Sequence, residues 1–569
     1  MAGAGRHDLR SRVPVAGRAT RARSGGPAAE AHAGSPRSRR NARDQGRTAI
    51  AAERHPRDAP GPGEPLRAAG APLPRRRAGP SGAPGLHLGR SRRRLRPRPD
   101  PPRHRPARPC RPFRPRDRSR ANLGPRSQLP HRGLKDRDNR PCLSTLPTRR
   151  VRSRRSRAES ILSDLDNFDE LAPFTRLVGG GRRKEWTGAV VNPPVWRAST
   201  HLYENTAALA EGPGRNEDGR FFYGRRGAPT QWALCEALTK IEPGAHGTVI
   251  YPSGVAALAG VMLTLLRPGD VVLITDNAYD PTRSMGTGML TDFGIETRFY
   301  DPLDIPAYEA LFCERTRAVL IEAPGSLSME VCDVPELARI ARAKGAVSVL
   351  DNTWASPLGF AGLEKGVDVI VMALTKHVGG HSDLMMGSAS ARKDIYDKLR
   401  KRSQDLGIVV SPDDAALALR GLRTLGVRLR QEAESALMIA RWLENRPEVA
   451  QVLCPMLPGS PGHDIWERDF TGGCGLFSFV FRGGTMADRN RFIDALKLFA
   501  IGYSWGGFES LVVPIEPTRH RDIMPWPPEQ QDKADRYGVR LAVGLEDVGD
   551  LIADLDQAFA VMQRAKTGE

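Results

Sequence analysis

The first 157 residues have almost no aromatic side chains and few acidic ones. Phe113 is their single Phe, Tyr or Trp, whereas 23 of the chain's 47 prolines fall in this part. A segment of this composition cannot bury enough apolar surface to offset the conformational entropy lost on folding. The composition therefore excludes a packed domain here and predicts a disordered, Arg- and Pro-rich extension over residues 1–157.

The scarcity of acidic residues is confined to this extension, and it divides the charge of the chain in two. The extension has 42 Lys and Arg against 10 Asp and Glu, a net charge of +32. Residues 158–569 have 44 against 55, a net charge of −11. The formal charge of +21 for the whole chain therefore comes from the extension. This distribution excludes treating the protein as basic, and hence nucleic-acid-binding, throughout.

Three interpretations of the extension stay open. Its Arg runs, such as residues 91–99 (SRRRLRPRP), would attract polyanions and favour a nucleic-acid-binding tail, although base-stacking aromatics are missing. A transit peptide is also Arg-rich, but prolines interrupt any amphipathic helix here. The Arg, Ala, Pro and Gly bias is also typical of a GC-rich reading frame upstream of the true start, and this is the interpretation that we favour.

Cysteine pairs at disulfide or metal spacing are absent, and so are long hydrophobic runs. The seven cysteines are scattered, odd in number and without a CxxC, which fits a reducing cytoplasm better than a disulfide framework or a zinc ribbon. No run of 18 apolar residues indicates a membrane span, and the N-terminus has no apolar signal segment. His377 and His381 have the spacing of zinc ligands on a helix, but Gly379-Gly380 disfavours a helix, so we expect no metal.

Residues 158–569 do contain a series of short apolar runs bounded by turn residues. Such runs, rich in β-branched residues and not alternating, are typical of strands buried on both faces. The predicted strands are residues 248–251, 271–275, 317–322, 347–350 and 367–373. Helices are predicted at 254–266 and at 335–344, the second with apolar residues at helical spacing and a proline in its first turn. This order of strands and helices predicts an α/β fold with a mostly parallel sheet.

The C-terminal part has a different pattern. Residues 477–481 (FSFVF) alternate as a strand does, and a helical stripe follows later in the chain. The stripe consists of Leu551, Leu555, Phe559 and Met562. One alternating strand and one amphipathic helix predict a smaller α+β domain here.

Ligands of an open α/β sheet bind beyond the carboxyl ends of its strands, and three such positions carry informative residues. Residues 251–255 (YPSGV) lead from a strand into a helix N-terminus, which favours a phosphate, and Gly254 allows close backbone approach. Asp351 ends a strand, where a carboxylate must be capped, paired or ligand-bound. Lys376 follows a buried strand, where a lysine is costly unless its pKa falls or it forms an imine. Together they predict a pyridoxal phosphate site.

Four motifs resemble hallmarks of one family, the cysteine/methionine-metabolism branch of fold-type I pyridoxal phosphate enzymes. They are residues 222–230 (FYGRRGAPT), 351–357 (DNTWASP), 375–387 (TKHVGGHSDLMMG) and 503–511 (YSWGGFESL). The resemblance extends from about Leu171 to the C-terminus and includes nothing of residues 1–157. It implies three parts after the extension: an arm at 158–228 that contributes to a neighbouring subunit, a cofactor-binding domain at 229–423, and an α+β domain at 424–569.

The resemblance also implies roles for individual residues. Lys376 would bond to the cofactor and move protons, Asp351 would hold the pyridine nitrogen protonated, and Tyr279 would stack on the ring and assist proton movement. Many relatives have a hydroxyl where this chain has Ala373, so one phosphate contact is expected to be missing or replaced. The remaining phosphate contacts would come from the Gly254 and Val255 amides, the Thr375 hydroxyl and, in the neighbouring subunit, Tyr223 and Arg225.

At the substrate end, the resemblance implies that Arg540 would bind the α-carboxylate through two parallel hydrogen bonds, with Ser504 beside it. γ-Cleaving relatives often have Glu at position 503 and Leu at position 505, so Tyr503 and Trp505 favour β-elimination.

The expected reaction cleaves L-cystathionine to homocysteine, pyruvate and ammonia, as in transsulfuration and methionine biosynthesis, with cysteine desulfhydration as a side reaction. The γ-lyase and γ-synthase reactions of the same branch are the alternative. A cytoplasmic homo-oligomer of two or, as usual in the family, four subunits is expected, with no membrane partner.

Overall fold

In the computed structural model, the described residues are 167–214, 219–516, 521–523 and 537–567. The extension predicted at residues 1–157 lies outside them. Two β-sheets lie within these ranges, one of seven strands and one of five. The arrangement is the α/β fold expected from the sequence, with a large sheet followed along the chain by a smaller, mainly antiparallel one.

The large sheet has the strand order β1-β7-β6-β5-β4-β2-β3. Strands β2 to β6 run parallel, and β7 is antiparallel to both of its neighbours, β1 and β6. The strands are β1 (Gly247–Tyr251), β2 (Val271–Thr275), β3 (Glu296–Tyr300), β4 (Thr316–Glu322), β5 (Val347–Asp351), β6 (Val369–Ala373) and β7 (Gly387–Ala391). Five of them are the predicted strands, with ends shifted by at most two residues.

Helices cover both faces of this sheet and continue into the C-terminal part. In chain order they are α1 (Pro173–Gly179), α2 (Lys184–Thr187), α3 (Thr206–Glu211), α4 (Pro229–Ile241), α5 (Gly254–Leu265), α6 (Asp280–Met285), α7 (Ile305–Ala310), α8 (Val334–Ala343), α9 (Ser356–Gly359), α10 (Lys393–Asp405), α11 (Pro412–Glu444), α12 (His463–Asp469), α13 (Met486–Ala495) and α14 (Val548–Thr567). The predicted helices at 254–266 and 335–344 are α5 and α8.

The ends of these two helices follow from their sequences. The Ser253 hydroxyl accepts a hydrogen bond from Ala256 N at 3.1 Å and so caps the start of α5. Helix α8 begins with Pro335 in its first turn and with Asp333 accepting from Glu336 N. Its buried face includes Leu337 and Ile340, as the apolar spacing predicted.

The second sheet has the order β10-β11-β12-β9-β8. All of its pairs are antiparallel except β10 with β11. Its strands are β8 (Val449–Leu453), β9 (Leu476–Phe481), β10 (Ala500–Ile501), β11 (Leu511–Ile515) and β12 (Gly538–Ala542). The predicted stripe of Leu551, Leu555, Phe559 and Met562 lies on α14, and all four side chains are buried.

Strand β9 is buried along its whole length, although alternation usually marks a strand with one solvated face. Phe477, Phe479 and Phe481 pack in the cluster that includes α13 and α14. Leu476 and Val480 pack instead in the cluster beneath the large sheet. The alternation of β9 therefore separates two apolar environments.

Helix α11 is the connection between the two sheets. Its first half contributes residues such as Leu422 and Leu425 to the core of the large sheet, and its second half contributes Ile439 and Leu443 to the core of the small one. The domain boundary expected at 423/424 falls inside this helix. That boundary stays a prediction.

Candidate active site

The carboxyl ends of β4, β5 and β6 meet at one edge of the large sheet, and a cavity of about 160 Å³ opens there. One side of it, here called the strand wall, consists of Glu322, Asp351, Ala373 and Lys376. A second group of lining residues, here called the C-terminal wall, consists of Tyr503, Ser504, Trp505 and Arg540. Tyr279 lines the cavity as well. The structure thus brings together the residues predicted at the reacting end of the site.

Lys376 lies in the turn after β6, with its amine in the cavity. Its Nζ donates a hydrogen bond to Ser504 Oγ at 2.8 Å and lies 5.4 Å from the centroid of the Trp505 ring. Burial, followed by the charge of Arg540, lowers the pKa of Lys376 to about 8, and Asp351 opposes this change. A substantial neutral fraction of the amine therefore exists near neutral pH, as a nucleophile or base requires.

Asp351 is the last residue of β5, and Thr353 holds its carboxyl group. The Thr353 backbone N–H donates to Oδ1 at 3.0 Å, and the Thr353 hydroxyl donates to the same oxygen. That hydroxyl also accepts from Ala373 N at 2.9 Å, which ties the end of β5 to the end of β6. Burial raises the pKa of Asp351, while Thr353 and Lys376 lower it.

Glu322 is a second strand-end carboxyl in the cavity, and the sequence reasoning missed it. It pairs in register with Asp351 across β4 and β5 and accepts from Tyr279 N at 2.8 Å. Burial, reinforced by the charge of Asp351, raises the pKa of Glu322 well above its ordinary value. The signal was available, because Glu322 ends an apolar run as Asp351 does.

Arg540 reaches the cavity from the middle of β12. Its Nη2 donates to Ser504 O at 3.4 Å, and burial lowers the pKa of this guanidinium, against the effect of Tyr279 and Tyr503. A cation in this setting is suited to an anionic ligand, and its planar fork matches a carboxylate.

The aromatic residues of the site differ in exposure. Tyr279 stands before α6 at 46 % exposure, and burial of its hydroxyl raises its pKa. Tyr503 is 90 % exposed, whereas Trp505 packs against the core of the large sheet. Of the two residues thought to favour β-elimination, Trp505 is therefore the one enclosed beside Lys376.

The predicted phosphate-binding groups lie next to this cavity, at the start of α5. A Cβ on Gly254 would be 2.8 Å from the Cβ of Ala373, so glycine is required at this contact. Val255 is the next residue of the same helix N-terminus. The Thr375 hydroxyl donates to Met386 O at 3.1 Å and accepts from Met386 N at 3.0 Å. Ala373, which replaces the hydroxyl residue that many relatives have, therefore lies against the N-terminus of α5.

Tyr223 and Arg225 are the two predicted residues of the N-terminal arm, and neither lines the cavity of its own chain. Tyr223 forms a bridge with Thr200 and is exposed. Arg225 Nη1 donates to Gln404 O at 2.9 Å on α10. Both lie in the arm that was expected to serve a neighbouring subunit.

The two histidines with zinc-like spacing have separate partners. His377 lies 3.2 Å from Glu432, and His381 Nδ1 is 2.8 Å from Gly379 O. The residues between them form turns, as Gly379-Gly380 indicated. Over the described part of the chain, no three His, Cys, Asp or Glu side chains are grouped as metal ligands would be.

Comparison with known proteins identifies the family of this chain. A family model described as Cys/Met metabolism PLP-dependent enzyme matches residues 174–560. The chain belongs to this family.

Individual relatives agree. The chain is 41 % identical over 391 residues to the cystathionine β-lyase of Escherichia coli K12, covering 68 % of this chain and 98 % of that protein. It is 43 % identical over 374 residues to a putative cystathionine β-lyase of Rhizobium johnstonii, covering 65 % and 91 %. Among solved structures, that of metB from Corynebacterium glutamicum superposes with a TM-score of 0.61 at 28 % identity, over 68 % of this chain and 97 % of that one.

The residues present fit the cofactor of this family. The α5 N-terminus, with its obligatory glycine, suits a phosphate. Burial raises the pKa of Asp351. A cationic ring nitrogen beside this carboxyl would lower the pKa and so keep the carboxylate charged. The partly neutral amine of Lys376 lines the same cavity and contacts Ser504 of the C-terminal wall. The chain thus has the three groups that pyridoxal phosphate enzymes use: a phosphate-binding helix N-terminus, a carboxyl group and an amine.

Proposed function

We propose that this protein is a pyridoxal phosphate-dependent carbon–sulfur lyase that performs β-elimination on L-cystathionine. The observation that supports it most is the Lys376 amine, whose pKa is lowered to about 8 in a cavity lined by Asp351 and Arg540. The products are homocysteine, pyruvate and ammonia. The printed names of the relatives with 41 % and 43 % identity support the same substrate.

The bound cofactor supplies the electron sink for the charge that develops at Cα. Asp351, held by Thr353, would pair with the ring nitrogen, and Tyr279 would stack on the ring. The Gly254 and Val255 amides and the Thr375 hydroxyl would bind the phosphate at the α5 N-terminus. These residues would hold the cofactor beside Lys376.

Arg540 binds the α-carboxylate of the substrate, and this contact orients the Cα–H bond toward Lys376. Lys376 removes the Cα proton, and Ser504, 2.8 Å from Nζ, holds the amine in position. The Cβ–S bond then breaks and homocysteine leaves. Water hydrolyses the remaining three-carbon fragment to pyruvate and ammonia.

The bond that breaks depends on groups over the distal atoms of the substrate. γ-Cleavage needs a second proton abstraction, at Cβ. The cavity-lining carboxyls of the described residues, Glu322 and Asp351, both belong to the strand wall. The C-terminal wall has Tyr503 and Trp505 where γ-cleaving relatives often have Glu and Leu, which favours β-elimination.

The experiment that tests this proposal uses the purified chain, both full-length and as residues 158–569, with pyridoxal phosphate and L-cystathionine. The keto acid is identified by mass. Pyruvate with homocysteine is the expected result, and equal activity of the two forms would make the extension dispensable. 2-Oxobutyrate with cysteine would instead establish γ-cleavage and refute the role given to Tyr503 and Trp505.

A homo-oligomer of at least two subunits, with four as the family's usual number, is part of the proposal. Neither Tyr223 nor Arg225 lines the cavity of its own chain, so in this arrangement they contact the phosphate in a neighbouring subunit. Co-expression of a Lys376→Ala chain with an Arg225→Ala chain tests it. Mixed dimers then hold one intact site, and activity should return to about a quarter of wild type after random pairing. No recovery would place Arg225 in its own subunit's chemistry.

The cytoplasm is the proposed location. The five cysteines within the described residues are free thiols, which fits a reducing compartment. No helix in the described ranges is long and apolar enough to span a bilayer. Cell fractionation followed by immunodetection tests the location, and recovery in a secreted fraction would contradict it.

A further inference from the structure

A buried histidine–glutamate pair lies directly behind Lys376, and nothing in the proposed mechanism uses it. His377, the next residue in the chain, is 2 % exposed, and Glu432 on α11 is 0 % exposed. The His377 Nδ1 atom is 3.2 Å from a carboxylate oxygen of Glu432. Burying two titratable groups costs desolvation free energy, which their mutual interaction offsets only in part. The presence of this pair beside the active site therefore needs an explanation.

The pair is in contact with the C-terminal wall. The His377 ring meets the Trp505 ring edge-on, with the centroids 5.1 Å apart and the planes at 65°. Lys376 Nζ stands 5.4 Å from the centroid of that same indole. Trp505 is therefore held between the imidazole and the active-site amine.

The backbone after Trp505 is tightly fitted to the same histidine. Gly506 has a φ of +75°, and a Cβ there would lie 2.7 Å from His377 Nδ1 and 2.9 Å from His377 N. Ser504, on the other side of Trp505, accepts the hydrogen bond from Lys376 Nζ at 2.8 Å. A shift of His377 would thus be transmitted to both groups that contact the amine.

Other ionisable groups surround the pair. Arg428 lies one turn before Glu432 on α11, and the Glu432 charge opposes the fall in the Arg428 pKa that burial causes. Arg428 itself donates to Thr424 Oγ1 and to Gly421 O. Cys474 lies close enough for the same charge to add to the rise in its pKa. Glu432 therefore acts electrostatically on Arg428 and also lies within 3.2 Å of the His377 imidazole.

We infer that His377 and Glu432 are positioning residues, which hold Trp505 and Ser504 against the Lys376 amine and so fix the direction from which that amine meets the substrate. The inference rests on the proposed function for its catalytic consequence. Its structural part, the dependence of Trp505 and Lys376 on Glu432, stands apart from the identity of the substrate.

The test compares Glu432→Gln, which keeps the size of the side chain and removes its charge, with Glu434→Gln, a matched change at an exposed position of the same helix. His377→Phe keeps an aromatic edge against Trp505 but removes the ring nitrogens. The double variant His377→Phe/Glu432→Gln removes both members. Thermal unfolding identifies any variant that has simply lost stability.

Two of three readouts, the steady-state kinetics and the absorption of the bound cofactor, are taken on folded holoenzyme. Because misplacement of a catalytic group by about 1 Å can cost about 100-fold in rate, we expect Glu432→Gln to lower kcat about tenfold or more with KM changed less than about threefold. The midpoint pH of the visible absorption of the bound cofactor should also move, relative to Glu434→Gln. The double variant should lose less than the sum of the two single variants, since both act through one contact.

The third readout needs neither substrate nor cofactor. Glu432→Gln should change the tryptophan fluorescence of the protein, and this change should vanish in a Trp505→Phe background. Loss of stability with kcat, absorption midpoint and Trp505 fluorescence all unchanged would overturn the inference. If wild type makes no keto acid from cystathionine, the proposed function fails, while the absorption and fluorescence readouts still decide the role of the pair.

Discussion

The strand wall and the C-terminal wall of the cavity differ in chemistry and in their origin along the chain. The strand wall carries an amine and two carboxyls, each at or just beyond the end of a parallel strand. The C-terminal wall carries a guanidinium on β12 and a hydroxyl and an indole from the segment before β11. Under the proposed function, the first wall would serve proton transfer and cofactor binding, and the second would select and orient the substrate.

This difference shows that the two parts of the fold contribute residues to the cavity in different ways. Parallel strands bring their ends to one edge, so a residue type at a strand end predicts a site there. No comparable rule applies to the C-terminal wall, because its residues meet the cavity only through the packing of the second sheet. The two walls are expected to respond differently to substitution.

The largest effect is expected in the strand wall, from Lys376→Ala. Under the proposed function, this change removes both the covalent anchor of the cofactor and the base for the Cα proton. Since a positioned proton-transfer group alone contributes about 10²–10⁴-fold, we expect kcat to fall at least about 10³-fold. Steady-state pyruvate formation measures it, with Lys344→Ala at an exposed lysine as the matched control. A kcat within tenfold of wild type would refute the role of Lys376.

In the C-terminal wall, we expect Arg540→Lys to have a smaller effect on the rate than Lys376→Ala, and to act on substrate binding. The charge remains, but the planar fork that fits a carboxylate is lost, so we expect kcat/KM to fall about 100-fold, mainly through KM. Arg491→Lys, at an exposed arginine, is the control. A loss confined to kcat would move Arg540 from substrate binding to the chemical step and weaken the contrast between the walls.

The selectivity of the C-terminal wall is tested by the double change Tyr503→Glu/Trp505→Leu, which introduces the residues common in γ-cleaving relatives. We expect pyruvate formation from cystathionine to fall about tenfold, because the pocket over the distal atoms is rebuilt. 2-Oxobutyrate should appear as a new product by mass spectrometry. An unchanged ratio of 2-oxobutyrate to pyruvate would show that Tyr503 and Trp505 do not determine which carbon–sulfur bond breaks.

A pH dependence sharpens the description of the strand wall. The pKa of Lys376 is lowered to about 8 from an ordinary value of 10.5, so the unliganded amine becomes neutral as pH rises through about 8. The rate of cofactor binding to the apoenzyme should rise with a midpoint near that pH, by stopped-flow absorbance. Asp351 opposes the lowering, so Asp351→Asn should move the midpoint to lower pH. A midpoint near 10.5 would mean that the walls leave the amine unperturbed.

The smallest effect is expected from Ala373→Ser, which restores a hydroxyl next to the α5 N-terminus. One added hydrogen bond contributes about 1 kcal/mol, so cofactor affinity should rise about fivefold. Equilibrium titration of the apoenzyme measures it, and kcat should change little. Weaker binding would indicate that the contact between position 373 and Gly254 has no room for the extra oxygen.

Much of the fold and of the strand wall could be predicted from local pattern. The runs that became β2, β4 and β6 were identified because parallel strands are buried on both faces, and Asp351 and Lys376 were found because they follow such runs. Glu322 escaped attention although it obeys the same rule. Arg540, Ser504 and the aromatic residues beside them came from family resemblance, since an arginine inside a strand has no local signal of function.

The sequence alone thus determined the order of strands and helices, the apolar faces that pack, and the three strand-end positions suited to the cofactor. These follow from side-chain periodicity and chain direction, which are local properties. The tertiary structure decided which groups meet in and around the cavity: Glu322 beside Asp351, Ser504 against Lys376, and Glu432 against His377. Such contacts join residues far apart in the chain, and their pKa values and orientations depend on burial that exists only once the two sheets have packed.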